Sequence, residues 1–209
     1  MSTAGHWWEV DYVVVDVEGN GARLPELVEL AAVLVEGGRI GRPRTWLMRP
    51  LTPVSWQARK IRGIRNDDVA ECPPVDNVAE EICEVFGDAL PVGHNVRIDL
   101  GVLTRSLPGW KPARAIDTLR LARKAWTLPS HKLGALVAHR DLADGLPDGL
   151  TPHRAEYDAL VTARLFVDLA TDGPEPRTAA ALFDAGGITL AGEEPEPELK
   201  LFDGIGELG

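Results

Sequence analysis

Apolar residues in the first quarter of the chain fall into short runs separated by turn residues. Residues 12–17 are almost entirely β-branched or aromatic and predict a buried strand. A second strand is predicted at 28–35, and Glu36-Gly37-Gly38 is typical of a hairpin turn leading to a third strand at 40–48. Three strands in succession predict an antiparallel meander at the start of the fold.

Beyond residue 53 the apolar spacing becomes that of helices alternating with short strands. Ser130 is the expected N-cap of one of these helices. A meander followed by alternating helices and strands predicts an α/β fold, a mixed five-stranded β-sheet flanked by α-helices. Strands are predicted at 90–93 and 114–116, and helices at 55–61, 75–86, 98–106, 117–124, 131–139 and 153–170.

The composition changes near residue 171 and divides the chain in two. Residues 10–171 contain the periodic pattern and predict the main domain. Residues 172–209 begin with a Gly/Pro linker, include a short helix predicted at 178–185, and contain an acidic Pro/Glu run at 193–198. We expect this C-terminal tail to be partly mobile or loosely docked, because it has little apolar surface to bury.

Two carboxylates, Asp16 and Glu18, end the first predicted strand. Alternate residues of a strand face the same side, so these side chains project together. Adjacent carboxylates repel and lose hydration unless a cation joins them, and Mg²⁺ or Mn²⁺ prefers such oxygen ligands. The pair taken alone is also compatible with a simple strand end and turn cap.

Two more acidic residues and a histidine follow at positions suited to a shared site. Asp99 comes at the first turn of a helix, directly after Gly93-His94-Asn95, where α/β folds place ligands. Asp158 follows His153 near the start of the clearest helix, and the two can converge if His153 belongs to the preceding loop. Taken singly, each also fits an ordinary helix-end or surface role.

In combination, Asp16-Val17-Glu18, Asp99 and His153-Arg154-Ala155 with Asp158 resemble the DEDDh 3′→5′ exonucleases. This family includes the proofreading subunit of the bacterial replicative polymerase, oligoribonuclease and ribonuclease T. The resemblance covers roughly residues 12–170. It implies an RNase H-like fold and hydrolysis of phosphodiester bonds with release of nucleoside 5′-monophosphates.

The resemblance also implies a role for each of these residues. Asp16 would bridge two divalent ions, Mg²⁺ or Mn²⁺, while Glu18 and Asp158 complete the coordination and Asp99 acts directly or through water. His153 would be the general base, for which an imidazole pKa near 6.5 is suited. Two metals can stabilise both the attacking and the leaving oxygen of an in-line displacement.

Substrate contacts are predicted at three segments. Gly19-Asn20-Gly21 stands where many relatives carry two hydroxyl residues and a glycine, and would present backbone amides to the terminal nucleotide. His94 and Asn95 are predicted substrate-binding residues, with His94 also expected to order the loop before Asp99 and Asn95 to bond the backbone there. Arg62-Gly63-Ile64 replaces the His-Gly-Ile of many relatives.

Arg62 belongs to the most basic local segment of an acidic chain, which also contains Arg59, Lys60 and Arg65. This segment predicts a surface that follows the phosphate backbone, with an ordinary solvated face as the alternative. Trp56 nearby either stacks on a base or packs inside the protein.

Composition narrows the function further. With 22 basic and 32 acidic side chains among 209 residues, the net charge is −10, which argues against broad adhesion to nucleic acid and mildly favours short or single-stranded substrates. No segment predicts a signal peptide or membrane span, so we expect a cytoplasmic protein without membrane contact. Cys72 and Cys83 predict free structural thiols.

Three functions follow in order of preference. The first is a metal-dependent 3′→5′ exonuclease acting on the 3′ ends of single-stranded DNA or short RNA. The second is an oligoribonuclease-like enzyme limited to very short oligomers, and the third a weakly active scaffold with the same fold. The sequence leaves open the choice of DNA or RNA, a homodimer, and a partner in replication or repair.

Overall fold

A mixed β-sheet of seven strands lies at the centre of the structure, a computed structural model that describes residues 5–190. The strands run across the sheet in the order β3-β2-β1-β5-β6-β7, and β4 pairs with β2 along the same edge as β3. β1 is antiparallel to β2 and parallel to β5, so it is central. The strands are β1 (Tyr12–Gly19), β2 (Leu27–Glu36), β3 (Arg39–Ile40), β4 (Arg44–Leu47), β5 (Leu90–Gly93), β6 (Arg114–Asp117) and β7 (Gly187–Thr189).

Helices cover both faces of this sheet, which confirms the predicted α/β class. No helix within residues 5–190 is long and apolar enough to cross a membrane. The helices are α1 (Trp56–Arg62), α2 (Asn66–Val69), α3 (Ala79–Phe86), α4 (Arg97–Ser106), α5 (Thr118–Ala125), α6 (Leu133–His139), α7 (Ala155–Thr171) and α8 (Ala179–Gly186).

The sheet has two more strands than the five predicted. The third predicted strand is divided into β3 and β4, because the chain bends at Gly41, whose N–H donates to the Leu34 carbonyl, and at Pro43, which has no N–H to offer a neighbour. β7 adds three residues antiparallel to β6. Its apolar run is too short to predict a strand by itself.

Alternation along β1 determines which side chains meet which helices. Val13 and Val15 pack in the core on the side of α3 and α4, whereas Val14 packs on the side of α7. Asp16 and Glu18 continue the register of Val14 and therefore point toward α7. The periodicity of one strand thus directs both carboxylates to the helix that contains Asp158.

Three helix starts differ from prediction by two residues or more. The helix predicted at 75–86 opens with a short 3₁₀ turn at Val75–Asn77, and α3 begins at Ala79. α7 begins at Ala155 and not at 153, because His153 has a left-handed backbone, with φ of 65°, and Arg154 is extended. α6 begins at Leu133 after Lys132, and the Ser130 hydroxyl accepts a hydrogen bond from the Lys132 N–H ahead of the helix. Ser130 therefore orders the preceding turn and is not the N-cap.

The helix predicted at 178–185 corresponds to α8, with the Thr178 hydroxyl accepting from the Ala181 N–H. α8 packs against α5, and β7 extends the sheet after it. The acidic run at 193–198 lies outside the described residues. The division of the chain at residue 171 stays a prediction.

Candidate active site

Three carboxylates converge where β1 extends beyond its pairing with β5 while still paired with β2. Asp16 and Glu18 of β1 and Asp158 of α7 each place one oxygen within 4.8 Å of the other two. β5 pairs with β1 only as far as Val14, so the two strands separate beyond that point and leave room for side chains. The donor set consists of hard oxygen ligands, which fits a divalent ion such as Mg²⁺ or Mn²⁺.

Asp99 lies beside this group without being one of the three. It is buried in the first turn of α4, and its Oδ1 accepts a hydrogen bond of 3.1 Å from the Val17 N–H, between the two carboxylates of β1. The separation of β5 from β1 leaves that N–H without a strand partner, and Asp99 supplies one. Asp99 is thereby fixed against the site.

Burial and crowding make these carboxyls hard to ionise. Burial raises the pKa of Asp16 well above its ordinary value, and the charges of Asp99 and Asp158 raise it further. Burial also raises the pKa of Asp99 to about 7 and that of Asp158 to about 6. A cluster with such values gains most from a cation, because each carboxylate lacks solvent and repels its neighbours.

A prediction on pH follows from these directions. Asp99 and Asp158 have pKa values above the ordinary 3.8 in the folded protein. As the pH rises, these two carboxyls therefore lose their protons at a lower pH in the unfolded chain than in the folded protein. The stability of the chelated protein should therefore fall between about pH 4 and pH 7, and Asp99→Asn should flatten part of that slope. Urea unfolding in excess chelator measures this.

The matched control is Asp148→Asn, which removes an exposed carboxylate from a loop. It should leave the slope of the wild type unchanged. If Asp99→Asn and Asp148→Asn changed the slope equally, the result would contradict the expectation that burial raises the pKa of Asp99.

Glu29 is a site residue that sequence reasoning missed. It lies opposite Glu18 in the register of β1 and β2, and its carboxylate accepts hydrogen bonds from the Arg154 guanidinium at 2.6–3.2 Å and from the Ala155 N–H at 3.0 Å. It therefore anchors the N-terminus of α7 to the sheet. Its position within an apolar strand gave no signal except that a buried acid needs a partner.

His153 lies in the loop that enters α7, and the residue is exposed. Its N–H donates to Asp158 Oδ2 at 3.0 Å, so the backbone of one predicted residue holds the carboxylate of another. The structure thus brings His153 beside the carboxylate group, and its role as the general base stays a prediction.

The turn after β1 is held tightly from within. Asn20 is fully buried; its Oδ1 accepts from the Ala22 and Glu26 N–H groups, and its Nδ2 donates to the Thr52 carbonyl. Gly21 has φ of 79°, and a Cβ there would lie 2.3 Å from Ser55 Oγ. The hydrogen bonds of the Asn20 side chain therefore stabilise the turn. Contacts between the backbone amides of residues 19–21 and the substrate stay a prediction.

His94 and Asn95 also have protein partners. The His94 ring meets Thr118 Oγ1 at 2.9 Å and the His131 carbonyl at 3.0 Å, and burial lowers its pKa to about 4, so it is neutral near pH 7. The Asn95 N–H donates to Asp117 Oδ1 at 2.9 Å. These contacts order the loop before Asp99, and direct contact with substrate stays a prediction.

The basic segment does not form one continuous surface. Arg62 turns inward and pairs with Glu18, and Arg65 lies on the surface beside Asp68. Lys60 Nζ lies 5.4 Å from the ring centroid of Trp56, which is 62% exposed and so is not a core residue. Of the four predicted basic residues, Lys60 and Arg65 face outward, and the exposed Trp56 lies beside Lys60.

Comparison with known proteins agrees with this geometry. A sequence model of a protein family described as exonuclease matches residues 13–166 of this chain. Exodeoxyribonuclease 10 of Escherichia coli K12 is 35% identical over 156 residues, which cover 75% of this chain and 67% of that protein. DNA polymerase III subunit epsilon of Aquifex aeolicus is 30% identical over 167 residues, covering 76% of this chain and 79% of that protein.

Among solved structures, exonuclease X in complex with 5′ overhanging duplex DNA superposes with a TM-score of 0.70 at 34% identity. The match covers 83% of this chain and 98% of that chain. Sequence and structure therefore agree that the chain belongs to the exonuclease family and, within it, to the DEDDh-type 3′→5′ exonucleases with an RNase H-like fold.

Proposed function

We propose that this 3′→5′ exonuclease removes nucleoside 5′-monophosphates from single-stranded DNA ends by two-metal hydrolysis. The observation that carries the proposal is the convergence of Asp16, Glu18 and Asp158 within 4.8 Å, with Asp99 and His153 beside them. These are the five residues that the sequence pattern predicts. The four acidic residues come from β1 and from the first turns of α4 and α7, so they can act together on one substrate.

Asp16, Glu18 and Asp158 would hold the ions, with Asp99 acting directly or through water. The preferred ions are Mg²⁺ or Mn²⁺, since these three ligands are carboxylates and no thiolate joins them among the described residues. Bound there, two such ions would supply positive charge to the attacking and leaving oxygens.

The protein's own residues perform the remaining tasks. His153 takes the proton from the attacking water, and its backbone N–H contact to Asp158 holds this residue beside the carboxylate group. The rigid turn at 19–21 receives the terminal nucleotide. Trp56 offers an exposed ring for base stacking, with Lys60 beside it for a phosphate.

DNA is proposed over RNA on the basis of the relatives. Exodeoxyribonuclease 10 is named for deoxyribonucleic acid, and exonuclease X was solved with a DNA duplex. The net charge of −10 further favours a short single-stranded stretch over a long duplex. An oligoribonuclease-like activity remains the second candidate. A scaffold function has less support, because all five site residues are present.

The experiment compares DNA and RNA oligomers of graded length that end in a 3′-hydroxyl or a 3′-phosphate. A 3′-phosphate adds negative charge close to the carboxylates, so we expect it to slow release by about tenfold or more. Ladders from the 3′ end on DNA are the expected product. Faster cleavage of two- to five-nucleotide RNA would favour the oligoribonuclease alternative.

Circular single-stranded DNA is the control for polarity, since it offers no end. It should stay intact under conditions that degrade the linear strand. Internal cuts in the circle, or equal rates on the two kinds of 3′ end, would indicate an endonuclease.

Partners and location are proposals as well. One relative is named as a subunit of DNA polymerase III, which supports a search for a replication or repair partner. We also retain a homodimer and a cytoplasmic location as proposals, the latter supported by relatives that are bacterial enzymes of DNA.

A further inference from the structure

The Arg62 side chain lies among the carboxylates and not on the surface. It is the last residue of α1, its side chain is 8% exposed, and its Nε–H donates to Glu18 Oε2. The Glu18 side chain is similarly buried, at 9% exposed. Arg62 therefore places a full positive charge against one of the three carboxylates proposed to hold metal.

The direction of this side chain is fixed by the packing of α1. Ala58 of the helix and Ile64 just after it are buried with Val28 of β2 in one apolar cluster, so the end of the helix lies against the sheet. Gly63 ends the helix in the left-handed conformation, with φ of 73°. Moving Arg62 to the surface would require the end of α1 to leave the sheet and would disrupt that cluster.

The pair leaves Arg62 incompletely satisfied. Its Nη1 is buried and has no hydrogen-bond partner among residues 5–190. A guanidinium has five N–H donors in a planar fork and binds phosphate readily. An unpartnered N–H beside the proposed reaction centre indicates a group that is arranged for a second anion.

The opposite strand provides a contrast. Glu29 faces Glu18 in the register, and it too has an arginine, Arg154. Glu29 also accepts the Ala155 N–H and lies outside the group of three carboxylates that could hold an ion. The pair of Glu29 and Arg154 is therefore a fixed structural contact. The pair of Glu18 and Arg62, in contrast, uses a carboxylate that is also proposed to bind metal.

We propose that Arg62 is an exchangeable counter-ion of the active site, competing with divalent metal for Glu18 and passing to a phosphate once metal has bound. The inference rests on the proposed function of the same site. Without metal, the guanidinium offsets part of the repulsion among the carboxylates, because it places a positive charge against Glu18. When an ion takes Glu18, the released N–H groups of Arg62 turn to the anionic oxygens of the nucleotide.

The test measures Mn²⁺ affinity from the free-ion electron paramagnetic resonance signal, with and without thymidine 5′-monophosphate. Arg62→Gln should bind Mn²⁺ about tenfold more tightly or better, since removing one positive charge a few ångström away eliminates a competitor. The nucleotide should strengthen Mn²⁺ binding more in the wild type than in Arg62→Gln. Both readouts are independent of turnover.

Arg44→Gln is the matched control, with the same loss of charge from a side chain that is 57% exposed beside Glu81. It should change neither readout. Arg62→Lys keeps a charge at the position and should retain most of the competition. Arg62→Met, whose unbranched side chain carries no charge, replaces Arg62→Gln if that variant does not fold. Equal Mn²⁺ affinity in wild type, Arg62→Gln and Arg44→Gln would overturn the inference.

Failure of the proposed function gives a different pattern. If the wild type cleaves no oligonucleotide yet Arg62→Gln binds Mn²⁺ more tightly, the exchange at Glu18 stands and the assigned substrate is wrong. If the wild type cleaves DNA and Arg62→Gln has unchanged Mn²⁺ affinity, the function stands and the exchange is wrong.

Discussion

Asp16→Asn is expected to abolish hydrolysis while leaving the fold intact or more stable. Asp16 is the residue proposed to bridge both ions, and its loss should lower the single-turnover rate by more than about 10³-fold. Asn has nearly the same shape but carries no charge. Because burial and the neighbouring Asp99 and Asp158 raise the pKa of Asp16, replacing it relieves repulsion in the chelated protein.

The measurement pairs single-turnover hydrolysis in Mg²⁺ with urea unfolding in chelator near pH 7.5. Activity and stability should move in opposite directions, which distinguishes loss of a ligand from loss of structure. Asp148→Asn, in an exposed loop, should change neither. Wild-type turnover in Asp16→Asn, or full activity of the wild type in excess chelator, would refute the two-metal proposal.

His153→Asn is expected to lower the chemical step by about 10²–10⁴-fold and leave Mn²⁺ affinity nearly unchanged. Asn is preferred to Ala because the backbone of His153 is left-handed, which Asn tolerates. The variant keeps the N–H that donates to Asp158, so the carboxylate stays in place. Asp158→Ala should instead weaken metal binding.

Metal titration and single-turnover rates across pH distinguish the two variants. The wild-type rate should fall on the acidic side as the base becomes protonated, and His153→Asn should lose the part of that limb due to the imidazole. A His153→Asn variant that loses metal as severely as Asp158→Ala, or that retains the wild-type rate, would show that His153 has another role.

Local rules predicted the parts of the molecule that depend on neighbours in sequence. The alternation of β1 directs Asp16 and Glu18 to one face, and the same register continues from the buried Val14. The helical period of 153–170 predicts α7 to within two residues at its start. The two extra strands escaped prediction because β3 and β7 contain two and three residues and depend on the strands they pair with.

Loop and rim residues were harder to predict, since their partners are far away in the chain. The basic pattern around Arg62 predicts a surface, yet Arg62 pairs with Glu18, 44 positions earlier. The Asn20 side chain is hydrogen-bonded to the Glu26 N–H and the Thr52 carbonyl, and Thr52 lies 32 positions later in the chain. Glu29 has no local signal for its role, because Arg154 lies 125 positions later.

The sequence by itself determined the α/β class, the order of the central elements and the residues that identify the family, because these follow from short periods and from side-chain chemistry at set positions. Only the tertiary structure decided that Asp16, Glu18 and Asp158 meet within 4.8 Å, that Glu29 anchors α7, and that Arg62 points inward. The physical reason is that burial and long-range pairing set the direction and charge state of each side chain, and neither is encoded in any local stretch of residues.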